Sequence, residues 1–513
     1  MDVRKFKVSF LTLLLALVLA VSTQRSDAQK SRITWKPEVP KIWVDDEIAA
    51  LEIPLSNPGS SPQHIPSDYY YRIPVRPIYR TYPVYAPDRE PPGYLEWLRR
   101  QKPEIIFDAS KLRSERDWIR AGELVFDSPI ATGGLFEFKP ADLYLRDPKW
   151  YEITEAPIAR DGTLPFYRYV VSDVGRVEIG VLACAMCHTR VMPDGRTIKG
   201  AQGNFPFGRA FAYDYRAEPG KVEDARKLER FLYTVPGGDS RPENRFDSQS
   251  IEDIAKGQEA LPPGVVARHR SNPLYPVQVP DLIGVRDRKY LDRSGLQLHR
   301  SLVDLMRYAA LNQGGDDLAS FGGFIPMALL FDGKLPDPGT QTRYSDEQLY
   351  ALALYLYSLK PPPNPNKFDA IAARGKKVFE HEGCAACHTP PLYTNNKLTP
   401  ADGFTVPAEH RKRYDILPMS VGTDPNLTLK TRRGTGYYKV PSLKGVWYRS
   451  PLEHGGSVAT LEDWFDLRRL RDGYVPAGFK GYRMKVRPVR GHEFGLSLSD
   501  QDRKALISFL KTL

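Results

Sequence analysis

Four cysteines constrain this chain more than any other feature. All four fall in two copies of one pattern, Cys184-Ala185-Met186-Cys187-His188 and Cys384-Ala385-Ala386-Cys387-His388, with none left over. C-x-x-C-H is the attachment signal of c-type haem. The two thiols bond to the vinyl groups on one edge of the porphyrin, and the next residue offers its imidazole to the iron as proximal ligand. Two C-x-x-C pairs around one zinc ion would not require histidine after both. A redox dithiol wants a thioredoxin-like βαβ context, which the flanking sequence lacks. Structural disulfides compete as well, since export permits them. The complete pattern, twice, predicts two covalently attached c-type haems, on Cys184, Cys187 and His188 and on Cys384, Cys387 and His388.

The N-terminus agrees. Arg4, Lys5 and Lys7 precede a mostly apolar run from Val8 to Val21, and small-x-small sites follow at Ala20-Val21-Ser22 and Ser26-Asp27-Ala28. This is the order of a secretory signal peptide, expected over residues 1–28. The run is short of the roughly 20 residues that a membrane helix needs, so no span is expected after its removal. Haem attachment of this kind follows export, which predicts a periplasmic or secreted protein. In the 513 residues, 41% hydrophobic and 26% charged residues suit a soluble chain with a real core and exclude a fibrous or disordered one. The net charge of +11 comes from scattered residues. No long basic run marks a nucleic-acid partner, whereas a basic surface suits an acidic redox protein.

Proline, at 45 residues, punctuates the chain and organises it. Residues 29–92 are rich in proline and tyrosine without helical period, and are expected to form an extended arm lying on the body. Pro361-Pro362-Pro363-Asn364-Pro365-Asn366 can continue neither helix nor strand, so 361–367 reads as a linker. It separates a first unit, 93–360, from a second, 368–513. Both units end in S-D-x4-A-L-x2-aromatic-L-x2-L, at Ser345–Leu359 and Ser499–Leu513, each a capped amphipathic helix. Their openings also match: Arg374-Gly375-Lys376-Lys377-Val378-Phe379 leads into Cys384, and Arg120-Ala121-Gly122-Glu123-Leu124-Val125-Phe126 has the same form. An insertion over about 130–180 delays the first attachment site. The expected fold is mainly α: two cytochrome c-like haem modules with long loops and an extended N-terminal arm.

Tyr438-Lys439-Val440-Pro441-Ser442-Leu443-Lys444-Gly445-Val446-Trp447 and Pro451-Leu452-Glu453-His454-Gly455-Gly456 then fall into place. This segment resembles the di-haem cytochrome c superfamily, which includes bacterial cytochrome c peroxidases, the maturase of methylamine dehydrogenase and rubber oxygenase. Val421-Gly422-Thr423-Asp424-Pro425 and Gly491-His492-Glu493-Phe494-Gly495 are similar to the rubber-oxygenase branch. The resemblance covers about 120–513. It implies an exported redox protein whose N-terminal haem meets peroxide or dioxygen and whose six-coordinate C-terminal haem relays electrons. The tryptophan that such proteins place between the haems is missing: none occurs between Trp150 and Trp447. Leu467, Arg468 and Arg469 stand where a peroxidase would carry a ligand methionine.

For the sixth ligand of the second haem, His492 ranks first, ahead of Met419, then His454 and Met484. At the first haem, His299 is a candidate for ligation, for acid–base work or for simple packing, and Arg300 for stabilising a bound anion. Met306 and Met327 are the other nearby ligand types, and Tyr290 is a substitute route for electrons. Two functional readings follow. One is an oxidoreductase using peroxide or dioxygen together with an electron donor or substrate that the sequence does not identify. The other is an electron-transfer cytochrome with both irons six-coordinate.

Overall fold

The computed structural model describes residues 35–132, 144–237, 242–267 and 271–513. The signal peptide expected over 1–28 lies outside these residues. No helix among those described is long and apolar enough to cross a membrane.

Five helices carry the argument: α1 (Glu115–Asp127), α2 (Leu302–Asn312), α3 (Asp346–Ser358), α4 (Ala370–His381) and α5 (Asp500–Lys511). Ser345 and Ser499 cap α3 and α5, each accepting a hydrogen bond from the backbone three residues on. α1 crosses α3, and α4 crosses α5, in the same way. A Cβ at Gly122 would stand 1.9 Å from the Ala351 carbonyl oxygen and 2.8 Å from Tyr355 Cβ. At Gly375 the corresponding distances are 1.8 Å to the Ala505 carbonyl oxygen and 2.8 Å to Phe509 Cβ. Only glycine lets either pair of backbones meet.

The insertion explains itself in the sheet. β1 (Thr81–Tyr85), β2 (Ala131–Thr132), β3 (Thr163–Asp173) and β4 (Arg176–Val181) form one antiparallel sheet in the order β1-β3-β4-β2. The insertion departs and returns at one point, since the Ile130 amide donates to the Val181 carbonyl at 3.1 Å. Some fifty residues therefore enter between α1 and Cys184 without displacing either. This sheet qualifies the mainly α expectation. β3 is buried over nearly its whole length, on both faces, so it shows none of the alternation that betrays a half-exposed strand.

The N-terminal segment packs into the body but is not extended throughout. Ile42, Trp43, Ile48, Leu51, Tyr70 and Ile78 are buried in one core with residues of α2 and α3. Trp43 stacks on Tyr70 at 4.1 Å and donates its indole N–H to the Ile65 carbonyl at 2.9 Å. Short helices at Asp45–Ala49 and Ser67–Arg72 and the strand β1 replace the expected extended course. Burial of its large aromatic side chains is what draws it in.

Candidate functional site

The second C-x-x-C-H follows α4 directly. Gly383, at φ 73°, turns the chain into a 3-10 turn over Cys384–Ala386. Burial pushes the Cys384 thiol up to about 11, with Glu382 adding to it, and raises Cys387 too. That is the reverse of what an activated dithiol needs. None of the four cysteines is in a disulfide. His388 is buried, and its Nδ1 lies 3.2 Å from the Tyr393 carbonyl and 3.1 Å from that of Pro441. A ring held through Nδ1 keeps Nε2 for a metal, which is how ligand histidines are oriented.

His492 faces it. The ring centroids are 6.2 Å apart with planes at 56°. An imidazole nitrogen sits about 2.0–2.1 Å from a metal. With the centroid roughly 1.1 Å farther out, two trans imidazoles would be about 6.3 Å apart. Burial drives both rings down to about 4, and their proximity lowers His492 further, so both are neutral imidazoles at pH 7, the form able to bind a metal. His492 Nδ1 is buried without a hydrogen-bond partner. The residue adopts φ 49° after Gly491 at 79°. Buried Arg469 pins this left-handed turn, donating to the carbonyls of Gly491 at 3.0 Å and His492 at 2.9 Å. The two histidines and two cysteines line a cavity of about 1510 Å³, its open mouth included, otherwise walled by Phe379, Leu443, Val446, Trp464 and other mostly apolar side chains. Two thiols, an oriented imidazole, a facing imidazole and an apolar slot are the donor set and shape that a c-type haem requires.

Of the alternative ligands, His454 lines the same cavity. Met419 and Met484 are exposed at 67% and 51%. His454 has both nitrogens engaged, Nδ1 in a short contact with Glu453 and Nε2 3.1 Å from the Tyr438 hydroxyl, and it stacks on Tyr438 at 4.1 Å.

At the first site, Cys184–Cys187 form a single helical turn after β4, entered through Leu182 at φ 63°. His188 Nδ1 is 3.0 Å from the Pro280 carbonyl, the counterpart of the Pro441 contact. A cavity of about 640 Å³ is lined by Cys187, His188, Val279, Pro280, Tyr308 and Arg433 among others. No second histidine and no methionine occurs among the described residues lining it. Met306 is fully buried in the apolar core with Ala183 and Ala185, and Met327 packs against that core.

His299 and Arg300 do not line this cavity. His299 Nδ1 lies 2.7 Å from the Arg288 carbonyl and Nε2 2.8 Å from the Tyr357 hydroxyl, so neither nitrogen is left for iron or substrate. Arg300 pairs with Asp304 at 2.8 Å. Of the roles left open for His299, these contacts agree with packing, and Arg300 is engaged by Asp304. Asp292 and Arg433 are the charged side chains among the described residues lining the first cavity; Arg433 is buried, in close contact with Glu52 and 3.6 Å from Asp316. Burial works to raise the Glu52 carboxyl, but Arg433 and His64 outweigh it and hold it at about 2. Glu52, His64 and Asp316 offer donor atoms within 4.8 Å of one another. The guanidinium among them makes the group a charge-paired cluster. Its sequence signal was the run Thr431-Arg432-Arg433-Gly434, which reads as solvated surface when taken alone.

No family model matches the chain. Among curated proteins, it is similar to cytochrome-c peroxidase IdrP1 of Denitromonas iodatirespirans, 27% identical over 165 residues, 28% of this chain and 40% of that protein. An uncharacterized protein, y4iM of Sinorhizobium fredii, is 25% identical over 179 residues, 29% of this chain and 41% of its own. The chain thus spans about two-fifths of the length of these relatives. Among solved structures, the diheme peroxidase BthA from Burkholderia thailandensis is 16% identical, covering 80% of this chain and 90% of its own with a TM-score of 0.29. A MauG-like protein associated with microbial copper homeostasis is also 16% identical, covering 57% and 88%, again at 0.29. Superpositions so loose carry no argument below. The resemblance to the di-haem cytochrome c superfamily stands, on the peroxidase side, and the rubber-oxygenase branch gains no support.

Proposed function

We propose that this chain is an exported di-haem c-type cytochrome that works as an oxidoreductase, with peroxide or dioxygen reacting at the first site and electrons relayed through the second. The observation that carries the proposal is the asymmetry of the two cavities among the described residues. The His492 ring faces that of His388 with centroids 6.2 Å apart, whereas His188 shares its cavity with Tyr308 and Arg433.

A bound haem would supply the iron that exchanges electrons with the oxidant. The chain supplies the rest. His188 is oriented through Nδ1 by the Pro280 carbonyl. Arg433 brings a fixed positive charge to the cavity wall, where it would favour an anionic oxygen species. Glu52 and Asp316 hold that guanidinium in place. At the second site, His388 and His492 would both hold a haem, which would supply electron transfer there. The donor of those electrons is a redox protein or small reductant of unidentified nature.

The test is spectroscopic. The resting protein is expected to show one high-spin and one low-spin haem, and cyanide or peroxide to perturb only the high-spin signal. Two low-spin haems, inert to peroxide, to cyanide and, when reduced, to dioxygen, would replace this reading with the electron-transfer cytochrome.

A further inference from the structure

We propose that Arg293, Lys439 and Arg449 hold the two carboxylate side chains of the haem anchored at Cys384 and Cys387. The inference rests on the second cavity being a haem site. These three cations line that cavity, and all three also line a smaller one of about 430 Å³, together with Arg288, Pro280 and Pro441. The smaller cavity touches neither cysteine. In a c-type haem the carboxylates leave the ring on the edge opposite the thioethers, so a cationic recess that touches neither Cys384 nor Cys387 suits them.

The protein itself does not balance this charge. Facing the cations are Asp281 and Asp292. Asp281 accepts from the Tyr448 hydroxyl at 2.8 Å and lies 3.9 Å from Arg449 Nε. Asp292 accepts the Arg293 backbone N–H at 2.5 Å and lines the first cavity. The Arg293 guanidinium reaches only the carbonyls of Gln278 and Val279, at 3.5 and 3.4 Å. Arg449 Nε is buried with no hydrogen bond. Burial, then Arg288 and Arg293, pull the Lys439 ammonium well below its usual value. Burial, then Arg449 and Arg288, bring Arg293 down to about 9. Like charges gathered out of water are costly unless an anion joins them. The backbone fixes the gathering, because the Lys439 amide donates to the Arg293 carbonyl at 3.0 Å.

The experiment uses the matured di-haem protein with Lys439→Met and Arg293→Gln. Each variant is expected to shift the propionate-bending band in the resonance Raman spectrum, which reports hydrogen bonding to the haem carboxylates. Each should also lower the midpoint potential of the low-spin haem, because a lost positive charge makes an added electron less welcome. Lys439→Arg keeps the charge and should restore both readouts. An unmoved band and potential in both variants, with haem content at the wild-type ratio, overturns the proposal. So does a wild-type potential that follows added inorganic phosphate at fixed ionic strength while the band ignores the variants, since a free anion would then fill the recess. None of these measurements uses peroxide, so the proposal and the peroxide reaction at the first site can fail separately.

Discussion

Glu229 offers a stringent test of the folded structure because it is a buried acid with no cation beside it. It lies on the helix Val222–Tyr233 at 3% exposure, accepting from the Gln258 side-chain amide at 2.9 Å and the Tyr215 hydroxyl at 3.3 Å. Burial lifts its carboxyl from 4.5 to about 7, the two hydrogen bonds only partly opposing. Folded Glu229 therefore holds its proton up to about pH 7, whereas the unfolded chain releases it near 4.5. Between those values the folded state binds more protons, so stability falls as pH rises, and the whole cost is present above pH 7. At about 1.4 kcal/mol per pH unit that cost is roughly 3 kcal/mol. Glu229→Gln keeps the acceptor oxygen and is neutral at every pH. Urea denaturation of the haem-loaded protein should find variant and wild type within about 1 kcal/mol of each other at pH 4.5, and the variant ahead by roughly 3 kcal/mol at pH 8. A stability difference that is the same at both pH values would refute the reasoning.

Replacing Cys184 and Cys187 with serine should halve the covalent haem seen after acid–acetone extraction, and zinc in place of haem in fully matured protein would contradict the attachment reading. His492→Ala should convert the low-spin second haem to high spin in the paramagnetic-resonance spectrum, and an unchanged spectrum would pass the ligand role elsewhere. Gly375→Val should cost about 3 kcal/mol or more, because its Cβ would fall 1.8 Å from a backbone oxygen of α5. Gly257→Ala, at a helical glycine with nothing within 4 Å of the new carbon, should instead add about 0.5–1 kcal/mol, so thermal unfolding of the two variants must move in opposite directions.

What the sequence disclosed and what it hid divide along a physical line. The cysteine pairs, the caps at Ser345 and Ser499 and the glycines at 122 and 375 are local or repeated patterns, and a single chain displays them. Asp292 and Glu453 show a repeat that the sequence conceals. Each follows a leucine and precedes a basic residue or histidine, and they take φ of 65° and 70°. Nothing in the residue types alone marks that shared turn. His492 could be singled out for its glycine-flanked setting, but its partner Arg469 stood out only as lying where a peroxidase would carry a ligand methionine. The arm misled because the contacts that fold it come from far away: Arg307 Nε donates to the Ile42 carbonyl across 265 positions. The partners of His299 are likewise invisible in the local sequence, being a loop carbonyl and a tyrosine on α3.

The charges at the centre of the molecule show why tertiary contact decides function here. Arg433, from the second unit, reaches the cavity of His188 in the first and is held by Glu52 from the N-terminal segment. Arg293, from the first unit, lines the cavity of His388 in the second. Each half thus contributes a cation to the other's site. Neither site is complete in its own stretch of sequence, and a chain cut at the 361–367 linker would leave both cavities short of a charge. The N-terminal segment is bound into the same arrangement through Glu52, which also accepts from the Gln297 side chain at 3.2 Å. This proline-rich stretch thus does more than pack: through Glu52 it contacts the one guanidinium among the described residues lining the cavity of His188.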